Sequence, residues 1–353
     1  MRNVKAVILV GGPGTRLQPL TDDTPKSVVP VANRPFMEYT FAWLRQYGIT
    51  DIVLTLSYLP DVIRDYFGDG SRHGVRLTYC IEEEPLGTAG AVKNAEAFLD
   101  GTFFVLNGDV YTDLDLDDML DSHRRNGAKA TISLARVEDP SAFGVVETSG
   151  DGRVRRFIEK PPKEEATTNW INAGTYVIEP EVLADIPAKS HYMFEKGLFP
   201  GLLEKGEPVY AYPYGGYWLD MGTPEKYFAL NRDLLMERTK SPFPLDMDKG
   251  GTQRGAGMDV HPSAVITGPV VIGGDTKIGE RVSVRGPVVV GPGCRIDNGA
   301  RIENTILWND VHIGAGARLG NCIIGGNSAV GPDCEVMDCV VTPSRTAPLA
   351  QQL

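Results

Sequence analysis

At 353 residues, with 42% apolar and 23% charged residues, the chain has the make-up of a globular protein of about two domains. No apolar run approaches the roughly 18 residues that a membrane-spanning helix needs, and Met1-Arg2-Asn3-Val4-Lys5 shows no signal-peptide pattern, so a cytoplasmic protein with no membrane partner is expected. A net charge of −11 with scattered basic residues argues against nucleic acid as a partner, yet leaves room for small anions held by a few local cations. In chain order, residues 4–10 read as a buried strand that runs into Gly11, Gly12 and Gly14. Helical spacing follows over 37–47, then a strand over 52–56, a helix over 61–67, a strand over 76–80, a helix over 89–98 and a strand over 103–106. This alternation predicts a three-layer α/β domain on a mostly parallel sheet. Ligands of such sheets sit beyond the carboxyl ends of the strands, where the glycine loop and Asn107-Gly108-Asp109 fall. From about 130 the pattern loosens into strands over 130–136, 144–147, 155–159, 173–178 and 208–213, read as an insertion covering one side of a cleft. It ends in a helix over 224–235, with Thr223 as N-cap and Pro224 in the first turn.

Residues 240–258, rich in Gly, Pro and Asp, are expected to be a linker. Beyond them Val260, Ile266, Ile272, Ile278, Val284, Val290, Ile296 and Ile302 recur every six residues. The phase then slips, and Ile313/Leu319 and Val330/Val336 resume the step. Such a repeat predicts a parallel β-helix with roughly 18 residues per three-sided coil. A β-sandwich is the alternative, but nothing in a sandwich would hold that phase. The five cysteines form no Cys-x-x-Cys pair, so free buried thiols are expected rather than a zinc site.

A strand that stops in glycines suits an anion, because unhindered backbone amides can close on phosphate. Arg16 adds a two-pronged guanidinium and Lys26 a compact charge. The loop is neither a P-loop nor a dinucleotide Gly-x-Gly-x-x-Gly, and taken alone a plain turn reads as well. Asp109 and Asp220 are hard oxygen donors from distant segments, each near glycine, a pair that suits magnesium, which takes one or two carboxylates plus substrate phosphates. As simple turn and helix caps they would look the same. Pro161 after Lys160 predicts an extended backbone at that lysine.

The full string Gly-Gly-x-Gly-Thr-Arg-Leu at 11–17, with Pro-Leu-Thr at 19–21 and Pro-Lys at 25–26, resembles the signature of the sugar-1-phosphate nucleotidyltransferases, or NDP-sugar pyrophosphorylases. The C-terminal repeat resembles the hexapeptide left-handed β-helix that follows the catalytic domain in several of them. The resemblance implies a Rossmann-like nucleotidyltransferase domain over 1–240, a linker over 241–258, a left-handed β-helix over 259–342 and a tail over 343–353. It implies a catalytic set of Arg16, Lys26, Asp109, Lys160 and Asp220, with Mg2+ on Asp109 and Asp220. Leu9, Gly11, Gly12, Gly14, Thr15, Arg16, Lys26, Glu82, Gly87, Thr88 and Asp109 would bind the nucleotide. Gly144, Glu159, Lys160, Asn172 and Asp220 would bind the sugar phosphate.

Base choice turns on Glu82-Glu83-Glu84, ahead of Pro85-Leu86-Gly87-Thr88-Ala89-Gly90-Ala91. Guanine offers two adjacent donors, N1–H and N2–H₂, which one carboxylate accepts; uracil and thymine suit an amide. Relatives that use those pyrimidines tend to carry Gln here, and the string resembles the mannose-1-phosphate guanylyltransferases. Which glutamate reads the base stays open, with Glu82 the alignment choice. The expected reaction is GTP with mannose 1-phosphate giving GDP-mannose and pyrophosphate, by in-line attack and without a protein nucleophile. Rivals within the class use glucose 1-phosphate with dTTP, UTP or ATP. A rival of another class is acyl transfer on the β-helix, with His261 or His312 as base; a third is a non-catalytic sugar-nucleotide-binding regulator. The aliphatic solenoid suggests a homo-oligomer.

Overall fold

A computed structural model describes residues 4–349. The first three residues, read above as free of a signal pattern, and residues 350–353 of the expected tail lie outside the described residues. The chain forms two compact units, one joining the start through Gly12 with Thr40–Trp218, the other joining Pro13–Tyr39 with Leu219 onward. Among the described residues no helix is long and apolar enough to cross a membrane.

The first unit carries a nine-stranded mixed sheet. Arg76–Ile81, Asp51–Leu56, Lys5–Leu9 and Phe103–Asn107 lie side by side and parallel, in that order. Ala6, Val7 and Ile8 are fully buried, as expected of a strand covered on both faces. Trp170–Ile178 runs antiparallel beside Phe103–Asn107. Ala130–Arg136 and Gly144–Thr148 pair with it antiparallel, Val154–Glu159 pairs antiparallel with Gly144–Thr148, and Val209–Pro213 pairs parallel with Ala130–Arg136. The expected helices stand at Phe36–Gln46, Pro60–Phe67 and Gly87–Asn94, the last followed by a short turn at Glu96–Phe98. A further helix, Leu116–Arg125, was not predicted. Its acidic start masks a buried stripe of Leu116, Met119 and Leu120, and Asp115 caps it by accepting from the Asp118 N–H at 3.0 Å. Below the sheet Tyr176, Phe194 and Phe199 pack as an aromatic cluster with ring centres 5.2–5.3 Å apart.

The second unit holds the helix Pro224–Leu235, whose Thr223 hydroxyl accepts from the Lys226 N–H at 3.3 Å, and a parallel β-helix. The six-residue aliphatics point inward and stack from coil to coil. Ile278 stands on Ile296, eighteen residues on, but Ile296 stands on Ile313, seventeen on. The slip in phase arises at one corner. Arg285 pairs with Glu303 and Val288 with Thr305, so Gly286 and Pro287 on one coil are matched by Asn304 alone on the next. Asn304, Asn321 and Asp338 repeat that corner in left-handed backbone and hydrogen-bond in a ladder, Asn304 to Asn321 and Asn321 to Asp338. Thr252–Arg254 joins the β-helix by pairing with Val270–Ile272, and Thr346–Pro348 folds back antiparallel on Cys339–Val341. All five cysteines are free; Cys80, Cys294 and Cys322 are buried as expected, whereas Cys334 is exposed because it sits on an outward-facing turn.

Candidate active site

In the first unit, Leu9 is level with both Thr55 and Asn107, so three parallel strands end together. The chain continues outward from the first strand in opposite directions at this point, which is where ligands bind in open α/β sheets. Ser57 donates to the Gly11 carbonyl, and a Cβ on Gly11 would lie 2.9 Å from the Ser57 Oγ. The Gly108 N–H donates to the Leu9 carbonyl at 2.9 Å, and a Cβ on Gly108 would lie only 2.5 Å from that oxygen. Glycine there lets the turn that carries Asp109 press against the end of the first strand.

The three glutamates separate. Glu82 is 7% exposed, whereas Glu83 and Glu84 are exposed. Its carboxylate accepts from the Leu86 N–H at 2.8 Å, and its other oxygen lies 3.7 Å from where a Gly11 Cβ would stand. Burial pushes the Glu82 carboxyl above its ordinary value, and the Leu86 hydrogen bond opposes that only in part. The following helix starts against residues 190–194. Ala89 and Gly90 N–H groups both donate to the Tyr192 carbonyl, at 3.0 and 2.9 Å. Gly87, at φ +71°, would bring a Cβ to 2.8 Å from that same oxygen. Thr88 donates to Glu195 at 2.9 Å and accepts from the Phe194 N–H at 2.9 Å.

Across the sheet, Glu159 pairs with Gly144, where a Cβ would lie 2.6 Å from the Phe157 ring and 3.0 Å from the Glu159 carboxylate. Lys160 stands 3.7 Å from Glu159. The expected extended backbone at Lys160 is corrected by the structure, which has φ +48° with the N–H bonded to the Phe143 carbonyl at 3.1 Å. Proline chiefly forbids its predecessor the right-handed helical region, and the left-handed region remained open. Asn172 donates to the Tyr176 hydroxyl at 2.8 Å and accepts from the Gly174 N–H at 3.0 Å, at a break in strand register. The Tyr176 hydroxyl is held far above its usual pKa by burial first, then by the negative charges of Glu195, Glu159 and Asp109. Those acids therefore act on the same hydroxyl that Asn172 bonds.

In the second unit, Gly14 takes φ +67° and opens the turn Thr15–Leu17. Thr21 donates to the Gly14 carbonyl at 2.8 Å. Arg16 lies 3.7 Å from Asp220, which Lys226 approaches to 3.8 Å. Asp220 is buried, and a Cβ on Gly222 would come within 3.0 Å of the Arg16 guanidinium. Lys26 heads a second turn, closed by Val28 N–H on the Pro25 carbonyl at 2.9 Å. The segment carrying both cations is pinned farther on. Asn231 accepts from the Ala32 N–H at 2.8 Å, Tyr227 donates to the Pro30 carbonyl, Trp308 donates to Tyr227 at 2.9 Å and Asn33 donates to the Val290 carbonyl at 2.8 Å.

Sequence reading missed Ser57, Tyr176, Glu195 and Lys226. Ser57 follows a strand directly, and Glu195 is a lone acid in the apolar stretch Tyr192-Met193-Phe194, which is the signal that would have found them. The two β-helix histidines face outward against acids of a neighbouring coil, His312 at 2.8 Å from Asp297 and His261 at 3.8 Å from Glu280.

A family model described as Nucleotidyl transferase matches residues 5–237, and one described as EIF2B subunit epsilon LbH domain matches residues 250–347, in keeping with a left-handed β-helix. A mannose-1-phosphate guanylyltransferase of Mycobacterium tuberculosis is 41% identical over 302 residues, covering 85% of this chain and 83% of the relative. A UTP–glucose-1-phosphate uridylyltransferase of Synechocystis is 37% identical over 327 residues, covering 88% and 84%. Among solved structures, HddC from Yersinia pseudotuberculosis complexed with GMP-PN is 32% identical with a TM-score of 0.56, covering 65% of this chain and 98% of that one.

Proposed function

We propose that this chain, which belongs to the nucleotidyl transferase family and is a sugar-1-phosphate nucleotidyltransferase, takes GTP and mannose 1-phosphate and releases GDP-mannose and pyrophosphate. The observation that carries the choice of base is Glu82. It alone of the three glutamates is buried, and it lies alongside the glycine loop. A desolvated carboxylate is matched to the paired N–H donors of guanine and would meet an acceptor in uracil or thymine. The name of the mycobacterial relative agrees with this choice.

In this reading the loop amides at 11–15, Arg16 and Lys26 hold the nucleotide phosphates. Lys160 holds the sugar phosphate, Glu159 and Asn172 accept or donate to sugar hydroxyls, and Gly144 gives the sugar room. A sugar-phosphate oxygen attacks the α-phosphorus in line, and the charge on the departing pyrophosphate is met by Arg16 and Lys26. Asp109 and Asp220 are oxygen donors of the kind Mg2+ prefers, and among the described residues no group of three or more His, Cys, Asp or Glu could hold a metal. Phosphate and water would supply the remaining positions. Bound there, the ion would neutralise phosphate charge. In this reading the reaction runs in the cytoplasm and the aliphatic β-helix serves self-association.

The test is pyrophosphate release from GTP, UTP, dTTP and ATP, each with mannose and glucose 1-phosphates. The GTP–mannose pair should show the highest kcat/KM, by about ten-fold or more, the scale set by one well-matched polar contact. A higher value for UTP with glucose 1-phosphate would overturn the substrates and leave the class intact.

A further inference from the structure

The loop that carries Arg16 and Lys26 is tied to the far end of the β-helix. Arg345 makes a two-pronged ion pair with Asp22, its Nη2 at 2.9 Å from one carboxylate oxygen and its Nε at 3.1 Å from the other. The two residues are 323 positions apart in sequence. Both partners are held from behind. Arg345 closes a tight turn, its carbonyl accepting from the Thr342 N–H at 2.9 Å, between the antiparallel strands Cys339–Val341 and Thr346–Pro348. Asp22 follows Thr21, whose hydroxyl bonds the Gly14 carbonyl, and its own N–H bonds the Pro19 carbonyl at 3.3 Å. A continuous path of fixed groups therefore runs from the C-terminal hairpin through Asp22 and Thr21 to the glycine that opens the Arg16 turn.

We propose that Arg345 and Asp22 are positioning residues for nucleotide phosphates, so that the C-terminal hairpin of the β-helix acts as a clamp on the phosphate loop. The proposal rests on the reading that residues 11–16 and Lys26 hold the nucleotide. The side chains are 49% and 27% exposed, and exposed pairs add little to global stability. The consequence is felt in the loop instead, where a displacement of about 1 Å in a group that orients phosphate costs rate out of proportion to stability. The planar fork fixes direction as well as distance, which a single lysine contact would not.

The experiment compares wild type with Arg345→Gln, Arg345→Lys, Asp22→Asn and the charge-swapped Asp22→Arg/Arg345→Asp in pyrophosphate release, with thermal melting of each. Arg345→Gln and Asp22→Asn should raise the KM for the nucleotide or lower kcat/KM for it by about ten-fold. The KM for the sugar 1-phosphate and the melting temperature should stay at the wild-type values. Arg345→Lys should fall between Arg345→Gln and wild type, and the charge swap should retain more nucleotide kcat/KM than Arg345→Gln or Asp22→Asn. Wild-type nucleotide kinetics in Arg345→Gln and Asp22→Asn would overturn the clamp. Equal losses toward both substrates, accompanied by a lower melting temperature, would also overturn it in favour of a structural role. Wild type inactive with every nucleotide would instead strike at the functional reading beneath it.

Discussion

Strands stop at two kinds of place in this molecule, the carboxyl edge of the sheet and the corners of the β-helix. At the sheet edge each strand gives way to a different residue: Gly11 after Lys5–Leu9, Ser57 after Asp51–Leu56, Glu82 after Arg76–Ile81 and Asp109 after Phe103–Asn107. At the helix corners one solution recurs coil after coil, a residue in left-handed backbone that is glycine, asparagine or aspartate at every such corner but Arg281. The interiors are alike, packed with buried valine, isoleucine and leucine in both. What differs is repetition. A repeated ending can do only what a turn does, whereas unlike endings brought level by register can assemble unlike groups around one ligand.

The comparison breaks most sharply at the aspartates. Asp109→Ala or Asp220→Ala should lower kcat by at least about 100-fold, the cost of removing one preorganised electrostatic group, with the fold retained. Near-normal rates in both, with magnesium dependence intact, would remove them from the chemistry. In the β-helix the expected signature is reversed. Ile302, buried between Val284 and Leu319 of adjacent coils, should lose about 0.5–1.5 kcal/mol of stability as Ile302→Val, with kcat unchanged, measured by denaturant unfolding.

The smallest effect belongs to a residue with a part in both packing and polar contact. Burial raises the Glu195 carboxyl above its ordinary value, against the pull of a backbone hydrogen bond and of Thr88. A raised folded-state pKa means that the stabilising contribution is complete below the unfolded value, about 4.3, and is lost as pH rises through the folded value. Glu195→Gln should therefore melt higher than wild type at pH 8, on the order of 1–2 °C. The gap should close towards pH 4, and a gap that persists there would mean that packing rather than charge is responsible.

Repetition also decided what could be read from residues alone. The six-residue aliphatic step announced the β-helix over eight positions, and the register confirms which of them stack. The phase was lost after Ile302 because one corner residue is missing on each later coil, a change that leaves no mark in hydrophobicity. The parallel core of the sheet was readable from alternating strands and helices. Leu116–Arg125 was not, because its caps and charges outnumber its buried stripe. Candidate site residues that end strands in glycine-rich strings, such as Gly11 and Asp109, stood out. Tyr176 and Glu195 did not, since an inward-facing tyrosine and a lone acid in an aromatic stretch acquire meaning only when distant strands bring Glu159, Asp109 and Asn172 beside them. The left-handed backbone at Lys160 was equally invisible, being fixed by a bond to Phe143 and not by its neighbours.

The switch from eighteen-residue to seventeen-residue coils shows where this solenoid can be edited. Dropping a residue at the corner left the inward stacks on both sides of it in register, Val284 on Ile302 and Leu319, and Val290 on Leu307 and Ile324. The same deletion inside a flat strand would turn the following side chains to the opposite face. New loops, tags or recognition segments grafted at the Gly286-Pro287 or Asn304 corners should therefore be carried as passengers. Length changes a residue or two away would scramble the coil.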